Sequence, residues 1–169
     1  YNMKHVGKHL DAVEYNNAIE NPKTTVVDMR NYYESEIGRF ENAIIPNVET
    51  SKELLPEVKK ILKGKEKDQI LLYCTGGIRC EKASVVMMDA GFSNVKQLKG
   101  GILGYFEEVG GEHWDGDCFV FDHRVALSAE LEQTEVVQCF ACRQPVTVEE
   151  QQSPEYIIEV SCPHCIHLR

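Results

Sequence analysis

Seven cysteines carry most of the chemistry open to this sequence, and their spacing sorts them into two sets. Cys74, Cys80 and Cys118 stand apart, whereas Cys139, Cys142, Cys162 and Cys165 form two Cys-x-x-Cys pairs near the end. Cys74 follows an apolar run and is followed by Thr75, Gly76, Gly77, Ile78 and Arg79. A cysteine placed between a buried strand and a helix start suits an anionic nucleophile. Thiolate is the reactive form, and the free N–H groups of a helix N-terminus lower a thiol's pKa. Gly76 and Gly77 let the backbone curl so that successive amides converge on one centre. Arg79 adds a fixed positive charge whose donor fork suits an oxyanion or a thiolate. The plainer reading, a structural cysteine at a strand end, does not account for the glycine pair and the arginine.

Loop length separates two chemistries. Four residues lie between Cys74 and Arg79. The loop that cradles phosphate in cysteine phosphatases is one residue longer, and here that extra step lands on Cys80. A shorter loop makes a tighter nest, matched to one persulfide sulfur on Cys74 rather than to a phosphoryl group. Cys80, just behind the loop, reads either as a buried core thiol or as a group able to resolve a Cys74 persulfide to a disulfide. Cys118, inside Cys118-Phe119-Val120-Phe121, reads as core.

The terminal cysteines read as metal ligands. Nineteen residues separate the two pairs, within the range of a four-cysteine zinc ribbon, and each pair supplies two thiolates from one tight turn. The expected cofactor is one structural zinc ion. Two disulfides would be the alternative in an exported chain. Cys162-Pro163-His164-Cys165 is also similar to the active tetrapeptide of periplasmic thiol oxidases, but only four residues remain after it, too few for the helix such a motif opens. His164 and His167 are reserve ligands.

These residues need a scaffold, and the chain supplies two textures. Up to Asp117, helix and strand signals alternate. Asp11 and Glu14 have capping-box spacing ahead of Val13, Ala18 and Ile19. Thr25-Val26-Val27 reads as a strand ending at Asp28. Ser51 is placed to cap a helix through Leu54, Leu55, Val58, Ile61 and Leu62 that stops at Gly64. Gln69–Tyr73 reads as a second strand, and a helix follows from about Arg79 through Ala83, Val86, Met87 and Ala90. Val95–Leu98 is a third strand, and Gly100-Gly101 turns into a further short helix. This alternation predicts an α/β fold with a largely parallel sheet flanked by helices. The predicted division is residues 1–117 and 118–169.

The second part offers Phe119-Val120-Phe121 and Tyr156–Val160 as β-like pieces. Eight acidic residues against three arginines give it a net charge of −5. It is too poor in apolar residues for a core of its own and needs a staple, which a metal provides. Lys59, Lys60, Lys63, Lys65 and Lys67 read as the solvated side of one helix and its exit turn.

Composition limits the partners. Net charge is −9, from 27 acidic and 18 basic residues, which argues against this chain alone gripping nucleic acid through its phosphates. No apolar run approaches the ~20 residues of a membrane span. The cysteine pattern, a reactive thiol plus a metal site, points to the cytoplasm or another reducing intracellular compartment. The opening Tyr1-Asn2-Met3-Lys4 lacks an initiator Met and an apolar signal core, and the chain reads as an excised piece of something longer.

Taken as a set, these motifs resemble rhodanese domains over roughly residues 5 to 110. Val26-Val27-Asp28-Met29-Arg30 with Glu34 and Gly38 is similar to their first signature. Tyr73 followed by Cys74 to Arg79 is similar to their six-residue active loop and the residue before it, and Gly91-Phe92 through Val95, Leu98 and Gly100-Gly101-Ile102 to their closing signature. The longer string from Cys74 to Ser84, with Trp114, Gly116, Cys118 to Asp122 and Arg124, resembles the narrower group of bacterial tRNA uridine hydroxylases and their eukaryotic relatives. The resemblance implies that Cys74 takes up sulfane sulfur from a small donor such as thiosulfate and passes it to cyanide, a thiol or a protein. It also implies that Asp28 and Arg30 hold the loop, with Glu34 orienting it. Arg39-Phe40 departs from the family, which usually carries a histidine and a small β-branched residue there. Two other functions stay open at this point: wobble-uridine hydroxylation using the same cysteine, and a non-catalytic binding or regulatory module.

Overall fold

The computed structural model describes residues 7–47, 51–122 and 124–168. Four parallel strands form the central sheet: β1 (Lys8–Leu10), β2 (Thr25–Asp28), β4 (Ile70–Tyr73) and β5 (Val95–Leu98). Their spatial order is β1-β5-β4-β2, with Val27 opposite Leu72 and Leu71 opposite Lys96. Successive side chains of a strand point to opposite faces, so both faces of β4 must be apolar if both are covered. Ile70 and Leu72 face α3 (Ser51–Ile61) and α4 (Ile78–Asp89), packing with Leu54, Val58, Ala83 and Met87. Leu71 and Tyr73 face α1 (Ala12–Ile19) and α5 (Gly101–Glu108), packing with Tyr15, Ile102 and Tyr105.

Local sequence explains where these helices begin. Asp11 Oδ1 accepts the Glu14 N–H at 2.8 Å and Glu14 Oε1 accepts the Asp11 N–H at 3.2 Å, a complete capping box. In α3, Ser51 is the first helical residue rather than its cap, and its side chain lies outside the described residues. The five lysines read as a solvated face are all exposed. α4 starts one residue earlier than expected, at Ile78, and ends at Asp89. Ala90, expected on its apolar stripe, is exposed, and Val85 turns inward in its place.

Four short elements carry too few residues to show a period. These are β1, α2 (Tyr32–Ile37) and the antiparallel pair of β3 (Gly38–Phe40) with β6 (Trp114–Gly116). Phe40 is fully buried, and the rings of Tyr73, Tyr105 and Trp114 meet it edge-on at 4.8, 4.9 and 4.9 Å. Trp114 is therefore part of a packed corner. A bulky aromatic at the position where the family usually has a small residue thus fills a core, and Arg39 beside it stays exposed.

Beyond residue 117, β7 (Cys118–Phe119) pairs with β8 (Ala126–Leu127), and β9 (Val137–Gln138) pairs with β10 (Pro145–Val146) ahead of α6 (Val148–Gln151). The strand expected over 119–121 stops at Phe119, because Phe121 turns outward and is 67% exposed. Tyr156–Val160 is not a strand but a turn, closed by one bridge between Ile157 and Ser161 with Glu159 at φ 67°. Cys118 is buried in the main core beside Trp114 and Tyr105. Phe119 packs on α2 through Tyr33 and Ile37. No described helix is long and apolar enough to cross a membrane.

Candidate active loop and metal centre

Cys74 leaves the buried strand β4 at its C-terminal end, where open parallel sheets place their sites. Gly77, at φ 95°, turns the chain into α4, and its N–H donates to Cys74 Sγ at 3.1 Å. That left-handed conformation is open to glycine at little cost. The first turn of α4 then brings Cys80 into the same buried cluster as Cys74, where its thiol and backbone N–H favour the thiolate form of that sulfur. The Cys80 thiol contributes most to lowering the Cys74 thiol to about 6, with burial opposing it and the Cys80 N–H, the Arg79 charge and the Gly77 N–H assisting. Burial, and then the adjacent Cys74 sulfur, pushes the Cys80 thiol well above its ordinary range. Burial likewise pushes Cys118 up to about 12.

The loop is pinned from outside as well. The N-terminus of α5 donates to its carbonyls, Ile102 N–H to Cys74 O at 3.1 Å and Leu103 N–H to Thr75 O at 3.4 Å. Gly101, at φ 64°, lies so close that a Cβ would collide with Thr75 O and Cys74 O. The Thr75 hydroxyl is buried without a hydrogen-bond partner among the described residues. Gly76 is exposed, and with Gly77 it borders a cleft of about 580 Å³ shared by His9, Glu81 and Lys99. The Ile78 side chain lies outside the described residues.

Arg79 does not turn its fork to the sulfur. Its Nη1 and Nη2 donate to Glu34 Oε2 and Oε1 at 2.8 and 2.9 Å, a bidentate pair, so it reaches Cys74 through charge alone. Glu34 Oε2 also accepts the Asn31 N–H at 2.8 Å, which anchors it to the start of α2. The ring of Phe121 lies 5.8 Å from the Arg79 guanidinium carbon, so the terminal extension covers the arginine's outer side.

Asp28 and Arg30 form a fully buried pair one layer behind. Asp28 Oδ2 accepts from Arg30 Nη2 at 2.7 Å, Ser35 Oγ at 2.8 Å and Tyr73 Oη at 2.7 Å. Arg30 Nη2 also donates to Gly38 O at 2.7 Å, and its guanidinium carbon lies 5.6 and 5.4 Å from the Tyr73 and Trp114 rings. The network grips Tyr73, the residue just before Cys74, and does not touch the cysteine. Sequence reasoning missed Tyr73, Gly101 and Phe121 here. Of these only Tyr73 carried a signal, since a tyrosine in a buried strand needs a partner for its hydroxyl.

The terminal cysteines converge. Their four sulfurs lie within 4.8 Å of one another, with Cys139–Cys165 at 4.0 Å, Cys142–Cys162 at 3.6 Å and Cys162–Cys165 at 3.9 Å. A tetrahedral tetrathiolate with ~2.3 Å metal–sulfur bonds has edges of about 3.8 Å, so the cluster fits one metal ion. These separations are far beyond a disulfide bond, and all seven cysteines are free. Cys139, Cys162 and Cys165 with Val146 make up the buried centre of this segment, and half-buried Cys142 packs against it. His164 pairs with Glu150 at 2.6 Å instead of joining them.

Comparison with known proteins agrees with this architecture. The solution structure of the rhodanese-like domain of the Alr3790 protein from Anabaena is similar at 20% identity and a TM-score of 0.52, covering 64% of this chain and 78% of that one. The crystal structure of the Alr3790 protein gives 23% and 0.53, covering 63% and 91%. A Rhodopseudomonas palustris protein of unknown function, described as a possible tyrosine phosphatase, gives 20% and 0.50, covering 60% and 80%. Such identities speak to the fold alone. The family description "Rhodanese-like domain" matches residues 11–108, which span β2 to β5 and the whole Cys74 loop. The chain therefore belongs to the rhodanese-like domain family.

Proposed function

We propose that this chain is a sulfurtransferase that carries sulfane sulfur as a persulfide on Cys74. The observation that carries this reading is the Cys74 sulfur itself, lowered to about 6 and ringed by donors in a six-residue loop. At neutral pH it is a thiolate. It attacks the outer sulfur of a donor such as thiosulfate, the sulfur–sulfur bond of the donor breaks, and sulfite leaves with the electron pair. Arg79 and the loop amides stabilise the anionic persulfide, with Glu34 positioning Arg79 and the Asp28–Arg30 network holding Tyr73. Thr75, Gly76, Gly77 and Ile78 form the nest, and the cleft beside Gly76 is the route for donor and acceptor. An acceptor, cyanide or a small-molecule or protein thiol, removes the outer sulfur and restores the thiolate.

The metal at Cys139, Cys142, Cys162 and Cys165 is read as structural zinc, since four thiolates close the coordination shell. On this reading residues 1–117 form the sulfur-carrying unit and 118–169 a metal-stapled extension, working in a reducing compartment such as the cytoplasm. The string from Cys74 to Ser84 also supports a narrower kinship, with the tRNA uridine hydroxylase group and, by resemblance, with the vertebrate thiosulfate sulfurtransferase/rhodanese-like domain-containing protein 2. The net charge of −9 favours a small-molecule or protein acceptor over RNA for this chain by itself.

The test is sulfite release. Thiosulfate added to the protein yields sulfite in proportion to chain, and the outer sulfur goes on to cyanide as thiocyanate. Cys74→Ser yields neither. Undiminished transfer by Cys74→Ser overturns the assignment.

A further inference from the structure

Among the described residues, Cys80 is a buried thiol beside the Cys74 loop that this reaction does not use as a nucleophile. It has no solvent exposure, and it shares a core with Cys74, Ala83 and Met87. Its place on the first turn of α4 is fixed by the Gly77 turn, which seats it in the same buried cluster as Cys74. Two cysteines packed in one cluster need their sulfurs to close to about 2 Å to be bonded.

The two sides of Cys74 differ in kind. Cys80 lies wholly within the core cluster, whereas the loop is exposed at Gly76. Thiol–disulfide exchange needs the attacking and leaving sulfurs on opposite sides of the central one. An outer sulfur directed toward the open side therefore leaves Cys80 placed behind the bond it would break. From these positions, and resting on the persulfide reading above, we propose that Cys80 resolves the Cys74 persulfide, releasing hydrogen sulfide and leaving a Cys74–Cys80 disulfide.

The step balances without an outside oxidant. The Cys80 sulfur forms a bond to Cys74 Sγ, the bond from Sγ to the outer sulfur breaks, and the outer sulfur leaves with the electron pair. The proton of the Cys80 thiol goes to the departing sulfide. The outer sulfur is reduced and the two cysteines are oxidised. A second thiol, or a dithiol reductant, then returns the pair to its starting state.

The resting state is also protected against premature reaction. Besides burial, the Cys74 sulfur keeps the Cys80 thiol protonated. When Cys74 Sγ becomes the inner, neutral sulfur of a persulfide, the charge moves to the outer atom, and that part of the restraint on Cys80 relaxes. Loading thus prepares the resolving thiol.

The test follows one round of reaction in the whole chain, with thiosulfate as donor and no reductant. Sulfite, trapped sulfide and intact mass are read together. The expected course is a sulfite burst and a gain of one sulfur, followed by release of an equivalent amount of sulfide and a mass two hydrogens below the reduced chain. Peptide mapping then finds the disulfide between Cys74 and Cys80, and the rate is independent of protein concentration. Assayed above the raised midpoint that loss of the Cys80 thiol gives Cys74, Cys80→Ala and Cys80→Ser still release sulfite on loading but keep the added sulfur until cyanide removes it. Wild-type protein that releases sulfite and then holds its persulfide without sulfide overturns the resolving role while leaving the sulfur-carrier reading intact. Absence of the sulfite burst in wild type overturns both.

Discussion

Glu34 and Arg79, 45 residues apart, meet through two parallel hydrogen bonds of 2.8 and 2.9 Å, with the Glu34 side chain fully buried and that of Arg79 28% exposed. The arginine that ends the Cys74 loop is thus aimed by a residue of α2, and the same carboxylate is tied to the Asn31 N–H. Replacing Glu34 by Gln keeps an acceptor for Asn31 but removes the charge that holds Arg79. We expect a loss of about 2 kcal/mol, below that of a fully buried pair because Arg79 keeps solvent contact. Sulfur transfer falls further than stability does. Denaturant unfolding and steady-state transfer to cyanide check the two parts, and wild-type transfer in Glu34→Gln rules out the positioning role.

Cys74 supplies the pH dependence. A thiol lowered to about 6 is protonated and inert below that pH and becomes reactive thiolate as pH rises through it. Loading by thiosulfate, and alkylation by iodoacetamide, should therefore rise with a midpoint near 6 and level off above neutrality. Because the Cys80 thiol makes the largest contribution, Cys80→Ala moves the midpoint upward. An unshifted midpoint in that variant assigns the effect to the backbone amides and Arg79 instead.

Gly101 tests the outer support of the loop. Alanine there meets two carbonyls of the active loop and must adopt φ 64°, a combination costing about 2–3 kcal/mol. The variant should lose loading at Cys74 while a chemically similar change at Gly64, whose surroundings are open, leaves loading intact. Calorimetry and sulfite release separate the two effects.

Metal removal should act on one end of the molecule. Structural zinc in small domains contributes on the order of 10 kcal/mol of binding free energy, much of it folding free energy. Metal analysis is expected to find one zinc per chain. A chelator, or Cys142→Ser, should expose amides over residues 136–168 to hydrogen exchange and leave those of β4 and β5 protected. A protein that keeps its terminal segment ordered without metal refutes the staple.

How far the sequence could be read depends on the range of each contact. The strand β4, the capping box at Asp11, the loop from Cys74 to Arg79 and the four terminal cysteines are local patterns. A strand's period, a cap's spacing and a Cys-x-x-Cys turn are each complete within a few residues, so the sequence alone determined them. It also marked Glu34 for orientation, but through family resemblance and not through any local pattern. Tertiary structure alone decided that the fork of Arg79 faces Glu34, that Phe121 covers its outer side, that Gly101 presses on the loop and that Phe40 fills the aromatic core. Each of these joins segments distant in sequence, where side-chain size and direction matter and periodicity carries no information. The same reason explains why Tyr156–Val160, apolar enough for a strand, is a turn: Ile157 bridges to Ser161, and Cys162 just beyond packs into the cysteine cluster.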